Sequence, residues 1–524
     1  MRTRTAKRLL LTSIAALAAT IIPAASGATA AAPTPGAVPI PTDIPGIAAL
    51  PGPVAAPSVA AENMGLLEVT PDQDGAGKLL TIRGSGLPAG KTVSIQWGTA
   101  MSTWQLDARA DSIDYLGRKT DKVNVVLATV PTDSSGGFGA KVTVPSDWGG
   151  IHDIYAVVDG VQVAKGGFLF ERHATISPKN GPIGTMITIT YHGLASTLYG
   201  GSGAVYYDGH YTGAATGIWT RGTAEVKIRA SGPVGDHIIQ ATGGIGNNYL
   251  NIEQSPIPWA VDQVFHFKVT RDNGAPPNRI DWPAQVTPTI NQRTTLGSVG
   301  LNYSSGTTAT LSETSGQVGS KATAQARGLK PGAVQLAWAT VVGNRVNCTG
   351  TCWSFAQVPL GNATVAADGS LAASQFTVPD NLGGWHYVQL VQNGETVAQV
   401  PFYVQRSIVG QSRMRLKAGQ HFTIHLKGIG WTQMDNTIAV DYDNSYRGYA
   451  CGFNSNGDVV IPLIAMGKPG THLIDMYPLI YTQQPSYANT PYGMVPILSY
   501  ARDFPGLAAG YQLPAIRMAI EIVK

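Results

Sequence analysis

The feature that most constrains this chain is that it repeats itself. Gly150, Ile151, His152, Asp153, Ile154 is echoed by Gly235, Asp236, His237, Ile238, Ile239, again by Gly384, Trp385, His386, Tyr387, Val388, and a fourth time by Gly470, Thr471, His472, Leu473, Ile474. A signature returning at module-sized spacing means one supersecondary unit used repeatedly, so the fold must be built from copies. The copies fall into two kinds. The first and third share Thr143, Val144, Pro145 to Ala164 against Thr377, Val378, Pro379 to Ala398, with Gly86–Gly90 before Trp97 matching Gly328–Gly332 before Trp338. The second and fourth share Gly184, Ile187, Ile189, Gly193 with Gly419, Phe422, Ile424, Gly428, and Val205, Tyr207, Asp208, Tyr211 with Val440, Tyr442, Asp443, Tyr446. His386 against His152 gives an offset of 234, and His472 against His237 gives 235. The duplicated unit is therefore a pair, A then B, and the order is A, B, A′, B′.

Alternation identifies the secondary structure of each copy. Leu80 and Ile82, Val93, Ile95 and Trp97, Ile187 and Ile189, and Phe422, Ile424 and Leu426 each alternate with polar neighbours, the pattern of half-buried strands. Asp159-Gly160 and Asn393-Gly394 are tight hairpin turns. With 62 Gly, 34 Pro and 13% charged residues, long helices are disfavoured. The expected fold is all-β: tandem immunoglobulin-like β-sandwiches, with module A over 63–172, B over 173–290, A′ over 291–405 and B′ over 406–524, both B-type modules carrying extended tails. Ahead of them, 1–30 reads as an export signal, basic at Arg2, Arg4, Lys7 and Arg8 and then apolar, and 31–62 reads as an Ala/Pro-rich spacer. The expected location is secreted or extracellular, with non-covalent surface association as an option and no integral membrane segment once the signal is removed.

The Pro and Gly opening, the Thr-Ile-type strand, Gly86-Leu87-Pro88-Ala89-Gly90 and the late Gly-x-His-x-Ile strand resemble the bacterial Ig-like repeats of the IPT/TIG type, and more loosely the neocarzinostatin-type sandwich. The resemblance covers about four hundred residues and rests on Gly, Pro and apolar positions. It implies a fold, and modules that are adhesive, spacer or ligand-binding, with no catalytic set and no cofactor.

Charge narrows the partners. The four basic residues of the signal account for the whole formal excess of +4, so the mature chain is near neutral and its Lys and Arg are scattered, which argues against nucleic acid. The recurring histidines at 152, 237, 386 and 472 suit a corner of each sandwich better than a metal site, because one per module leaves them far apart. The B-type run is the candidate binding surface: Tyr206, Tyr207, Asp208, His210, Tyr211 and Trp219 in B, and Asp441, Tyr442, Asp443, Tyr446, Arg447 and Tyr449 in B′. Aromatic faces stack on sugar rings while Asp and Arg bond hydroxyls, so an extracellular polysaccharide or a cell-surface protein is the expected partner, read chiefly by Tyr207, Asp208, Tyr211, Trp219, Tyr442, Asp443 and Tyr446. Core packing is the competing use of the same rings. Asp441 and Asp443 also suit a calcium loop, although Tyr206 replaces the first of them in B. Cys348 and Cys352 suit a small disulfide loop, leaving Cys451 alone.

No Gly-x-Ser-x-Gly elbow, His-Glu-x-x-His pair or phosphate loop occurs. The readings in order are a secreted non-catalytic binding or adhesion protein with four sandwiches in a rod, a structural coat or spacer without a specific ligand, and a polysaccharide-active hydrolase using paired carboxylates.

Overall fold

In the computed structural model, residues 52–55, 59–109, 112–197, 200–244, 250–254, 262–283, 307–343, 353–410, 414–452, 456–480, 495–508 and 510–524 are described. The export signal, most of the spacer, and Cys348 with Cys352 lie outside the described residues. The architecture is all-β, and the same sandwich occurs four times.

Each sandwich pairs a three-stranded sheet with a sheet of five or more strands. The small sheets order their strands alike: Glu68–Thr70, Leu79–Gly84, Phe138–Thr143 in A; His173–Ser177, Met186–His192, Ala224–Arg229 in B; Thr308–Leu311, Lys321–Arg327, Leu371–Thr377 in A′; and Ser407–Val409, His421–Lys427, Val459–Ile464 in B′. The large sheets repeat as well. In A′ the order is Ser315–Gln317, Glu395–Gln405, Gly384–Gln392, Gly332–Gly343, Trp353–Val365, the first pair parallel and the others antiparallel. In B the corresponding order is Asn180–Gly181, Gln263–Val269, Gly235–Gly243, Ser202–Tyr207, His210–Thr216. This is an immunoglobulin-like arrangement, in which one face of each sheet is buried against the other.

Alternation decides which side chains go inward. In Met186–His192 the buried residues are Ile187, Ile189 and Tyr191, and in Phe138–Thr143 they are Phe138, Ala140 and Val142. Trp97 and Trp338 sit at matching positions with no exposed surface and anchor the A-type cores. The hairpins close where the sequence places them. Asp159 and Gly160 have φ of 49° and 80°, and Asn393 and Gly394 have 51° and 81°, the left-handed pair that a two-residue hairpin with the right twist requires.

Two features of the architecture are invisible in the repeat pattern. The segments read as tails of B and B′ contain the last strand of each module: Ala515–Val523 pairs with Gly470–Pro478 on one side and, in parallel, with Met414–Lys417 on the other. Arg279–Asp281, in the tail of B, also adds to Ala515–Val523, so the first half of the chain contributes a strand to a sheet of the second. In A, the hairpin Thr92–Arg109 and Ser112–Pro131 is far longer than its sandwich needs. Its arm carries Trp104 and Tyr115 into a core shared with residues of B, A′ and B′. The four sandwiches are therefore not independent units, since this common core buries apolar surface from all four.

Candidate functional site

The four repeated histidines share one use. In each, Nε2 lies against the backbone carbonyl four residues earlier: Trp148, Pro233, Leu382 and Lys468, at 2.6, 2.8, 2.9 and 2.8 Å. Each ring thus closes the turn that leads into its own strand. The other nitrogen distinguishes the two module types. In A and A′ it faces the carbonyls of Gly98 and Ala339, and the ring stacks on Trp97 or Trp338 with centroids 4.3 and 4.7 Å apart. In B and B′ it lies 2.6 Å from a carboxylate, Asp208 or Asp443. Burial pulls His386 down to about 4. Burial also opposes charge on His472, but the Asp443 carboxylate outweighs it and raises the ring above its ordinary value.

The residues proposed from sequence as a sugar-binding face occupy different positions. Tyr207 is 2% exposed and its hydroxyl donates to the Ser231 carbonyl at 2.9 Å. Tyr442 is 5% exposed and donates to the Met466 carbonyl at 2.7 Å. Trp219 is buried, with Nε1 donating to Thr103 Oγ1 at 3.2 Å. Asp208 and Asp443 sit in the hairpin turns with φ of 50° and 49°, and besides the histidines each accepts a backbone amide, from Ile238 at 2.9 Å and Leu473 at 2.8 Å. The exposure expected of Tyr207, Trp219 and Tyr442 is corrected, because these rings are buried in cores, whereas Asp208 stays exposed and Asp443 half-buried, each bracing its turn. Each oxygen of Asp443 accepts one of these turn hydrogen bonds.

Tyr211 and Tyr446, one from each run, are brought together. Their rings meet edge to face at 6.4 Å across the boundary between B and B′. Buried charged groups cluster at that boundary. Arg229 of B, buried, pairs with Asp475 of B′ at 2.7 Å and donates to the Met518 carbonyl at 2.6 Å. Arg517, with no exposed surface, donates to Tyr477 Oη at 2.7 Å, to Asp281 at 3.0 Å and to the Lys227 carbonyl at 3.1 Å. Asn444 stands in the turn where B has Gly209. Its left-handed φ of 60° is one that Asn tolerates, and its side-chain amide donates to the Arg229 carbonyl at 2.7 Å and Ser231 Oγ at 2.8 Å. One substitution between the duplicates thus converts a free turn into a clasp.

Beside these pairs lies Asp441, the cross-strand partner of Asp475. It is 1% exposed and neither carboxylate oxygen has a hydrogen-bond partner among the described residues. Burial first, and then the Asp475 charge, push its carboxyl well above the usual range, with Arg517 opposing only in part. Asp441 and Asp475 are paired carboxylates, and both are buried.

A second clasp joins three modules. Asp503 is fully buried; it accepts Trp104 Nε1 of A at 3.0 Å and the amides of Ile218 and Trp219 of B at 2.7 and 3.1 Å. Within each half, A meets B through glycines. Gly149 N donates to Leu194 O at 3.1 Å, and Gly383 N to Ile429 O at 2.9 Å. A Cβ on Gly149 would stand 1.9 Å from the Gly193 carbonyl oxygen, and one on Gly383 1.8 Å from that of Gly428. The backbones touch here, and only hydrogen fits. The sequence reading missed these joints and the buried Arg172 and Arg406 beside them, although the offset of 234 relates each pair.

Among the described residues no helix is long and apolar enough to cross a membrane. No family model and no curated protein matches the chain, so the IPT/TIG likeness gains no support beyond the Ig-like sandwich itself. Among solved structures, the chain is similar to a putative membrane anchored protein from Corynebacterium diphtheriae (11% identity, 88% of this chain and 91% of that one, TM-score 0.17). It is also similar to the fibronectin(III)-like modules of Clostridium thermocellum CbhA (12%, 39% and 95%, 0.13) and to E. coli alpha-2-macroglobulin (8%, 86% and 30%, 0.15). The chain spans 30% of the alpha-2-macroglobulin chain, and likenesses at these TM-scores carry no argument about function.

Proposed function

We propose that this is a non-catalytic extracellular protein whose four Ig-like modules act as one rigid scaffold, a structural or adhesive element of the cell exterior. One observation carries the reading: buried charged and polar side chains fasten modules to one another. Arg229, Asp475, Arg517, Asn444 and Asp503 all join segments more than two hundred residues apart. Buried ionic contacts are weak evidence for stability, so we read these as fixing one arrangement of the modules. A spacer between an export signal and the first module suits such a scaffold, since it would hold the block away from its attachment.

The polysaccharide reading retains Tyr449, 45% exposed, beside the exposed Arg447. Retention of the mature chain on insoluble cell-wall and plant polysaccharides separates the two. The scaffold reading expects no retention on any of them. Retention that Tyr449→Ala removes would restore the glycan-binding protein, and retention that survives it would equally overturn a scaffold indifferent to glycans.

A further inference from the structure

One place in the small sheets is filled differently in B. Where the first two strands pair at their outer end, A sets Glu68 opposite Arg83, A′ sets Thr308 opposite Arg327, and B′ sets Ser407 opposite Lys427. In B the pair is His173 and His192. The two imidazoles stack with centroids 4.8 Å apart and planes 22° from parallel. His173 also abuts A, since a Cβ on Gly75 would stand 3.4 Å from its ring. His192 is half-buried, and its Nδ1 is enclosed with no hydrogen-bond partner among the described residues. Two residues further on, Leu194 accepts the Gly149 amide that joins A to B. The stack therefore lies between the first strand of B and the backbone joint.

The second half fastens the same place with a fixed charge. Lys427, at the position of His192, pairs with Asp380 of A′ and lies 3.6 Å from Asp458. The first half holds Ser146 and Thr223 at the positions of those carboxylates, and their hydroxyls meet at 3.2 Å. An ion pair in one half thus corresponds to neutral stacked rings in the other. The groups that act on His173 are Asp74 and Lys78 of A and Glu171 of the link between the modules, while Arg172 faces Tyr191 and Asp262. Burial is the largest influence on both rings and holds them below the ordinary histidine value, His192 at about 4. On His173 the two carboxylates oppose burial and Lys78 adds to it; on His192 the charge of His173 adds to it.

We propose that the His173–His192 stack is an acid-sensitive fastening: acidification charges the rings, parts His173–Ser177 from Met186–His192 and loosens the A–B joint, while A′–B′ stays closed. Like charges on directly opposed cross-strand residues repel. His173–Ser177 has five residues, and its one sheet neighbour among the described residues is Met186–His192, so few bonds hold it against that repulsion. Released imidazoles take up protons near about 6.5, whereas the stacked ones do so only at lower pH. The fastening is therefore at full strength above that value and is lost as pH falls from there toward about 4. For His192 alone the opening equilibrium shifts about twentyfold between pH 7 and pH 5, which the partial exposure of the ring reduces to about tenfold.

Hydrogen exchange of the full mature chain, read by mass spectrometry at pH 7 and pH 5 with times scaled to the intrinsic rate at each pH, tests this. Protection over His173–Ser177 and Met186–His192 should fall about tenfold at pH 5, while Ser407–Val409 and His421–Lys427 keep theirs. His192→Gln retains a planar, hydrogen-bonding side chain that does not titrate and should hold its protection at pH 5. His173→Gln removes one of the two like charges and should lose less than the unmodified chain, so either variant serves if the other fails to fold. Unchanged protection of the unmodified chain at pH 5, an equal fall in either Gln variant, or an equal fall over the B′ strands overturns the proposal.

Discussion

Replacing Asp441 with Asn should stabilise the protein, increasingly so as pH rises. The carboxyl is enclosed between Asp475 on the neighbouring strand and the Tyr211 and Tyr446 rings, with Arg517 and Arg229 engaged by Asp475, Asp281 and backbone carbonyls. Its two oxygens lack partners, and its proton is held well above the ordinary range by burial and by Asp475. In the unfolded chain the same group ionises near the reference value of about 3.9. Above that value the folded state retains a proton that the unfolded state has lost, so this residue's contribution falls as pH rises and levels off only past its folded pKa. The slope in that window approaches about 1.4 kcal/mol per pH unit. Asn has nearly the same shape and does not titrate. The difference in unfolding free energy, Asp441→Asn minus wild type, should therefore grow with pH from about 4 upward, while titrating groups remote from Asp441 cancel in the subtraction. Urea denaturation of both chains at half-unit pH steps measures it. Parallel curves, or an Asn variant that loses ground as pH rises, would refute the claim that Asp441 is buried in protonated form.

Three further outcomes are expected. Gly383→Ala places a methyl group 1.8 Å from the Gly428 carbonyl oxygen in a backbone joint, so it should cost at least the about 1–3 kcal/mol typical of overpacking, whereas Gly139→Ala, with nothing within 4 Å of the new atom, should change little in the same thermal melts. Asp503→Ala strands the Trp104 indole and the Ile218 and Trp219 amides and should cost at least about 1–3 kcal/mol, and Asp503→Asn should recover part of it; equal melting of the Ala variant and the wild type would remove Asp503 as a clasp. Thiol titration of the unfolded mature chain should count one group, Cys451, if Cys348 and Cys352 are bridged, and a count of three would exclude the bridge.

The A–B pairing, the all-β class and the hairpin turns were legible in the sequence because they depend on local rules. Alternation at Ile187, Ile189 and Tyr191, and a left-handed turn at Asp159-Gly160, act within a few residues and therefore leave a local trace. The repeated histidines were legible as architectural for the same reason, each ring reaching a carbonyl only four residues back. What covers the outer face of a sheet is not a local property. Alternation shows that Asp441 and Tyr442 point to opposite sides, but it cannot show that the side bearing Asp441 is sealed by another module, so the run read as a displayed surface while the tertiary structure closes it. Contacts such as Arg229 with Asp475 and Asp503 with Ile218 join residues two to three hundred positions apart, and their partners carry no mark in the chain that they will meet.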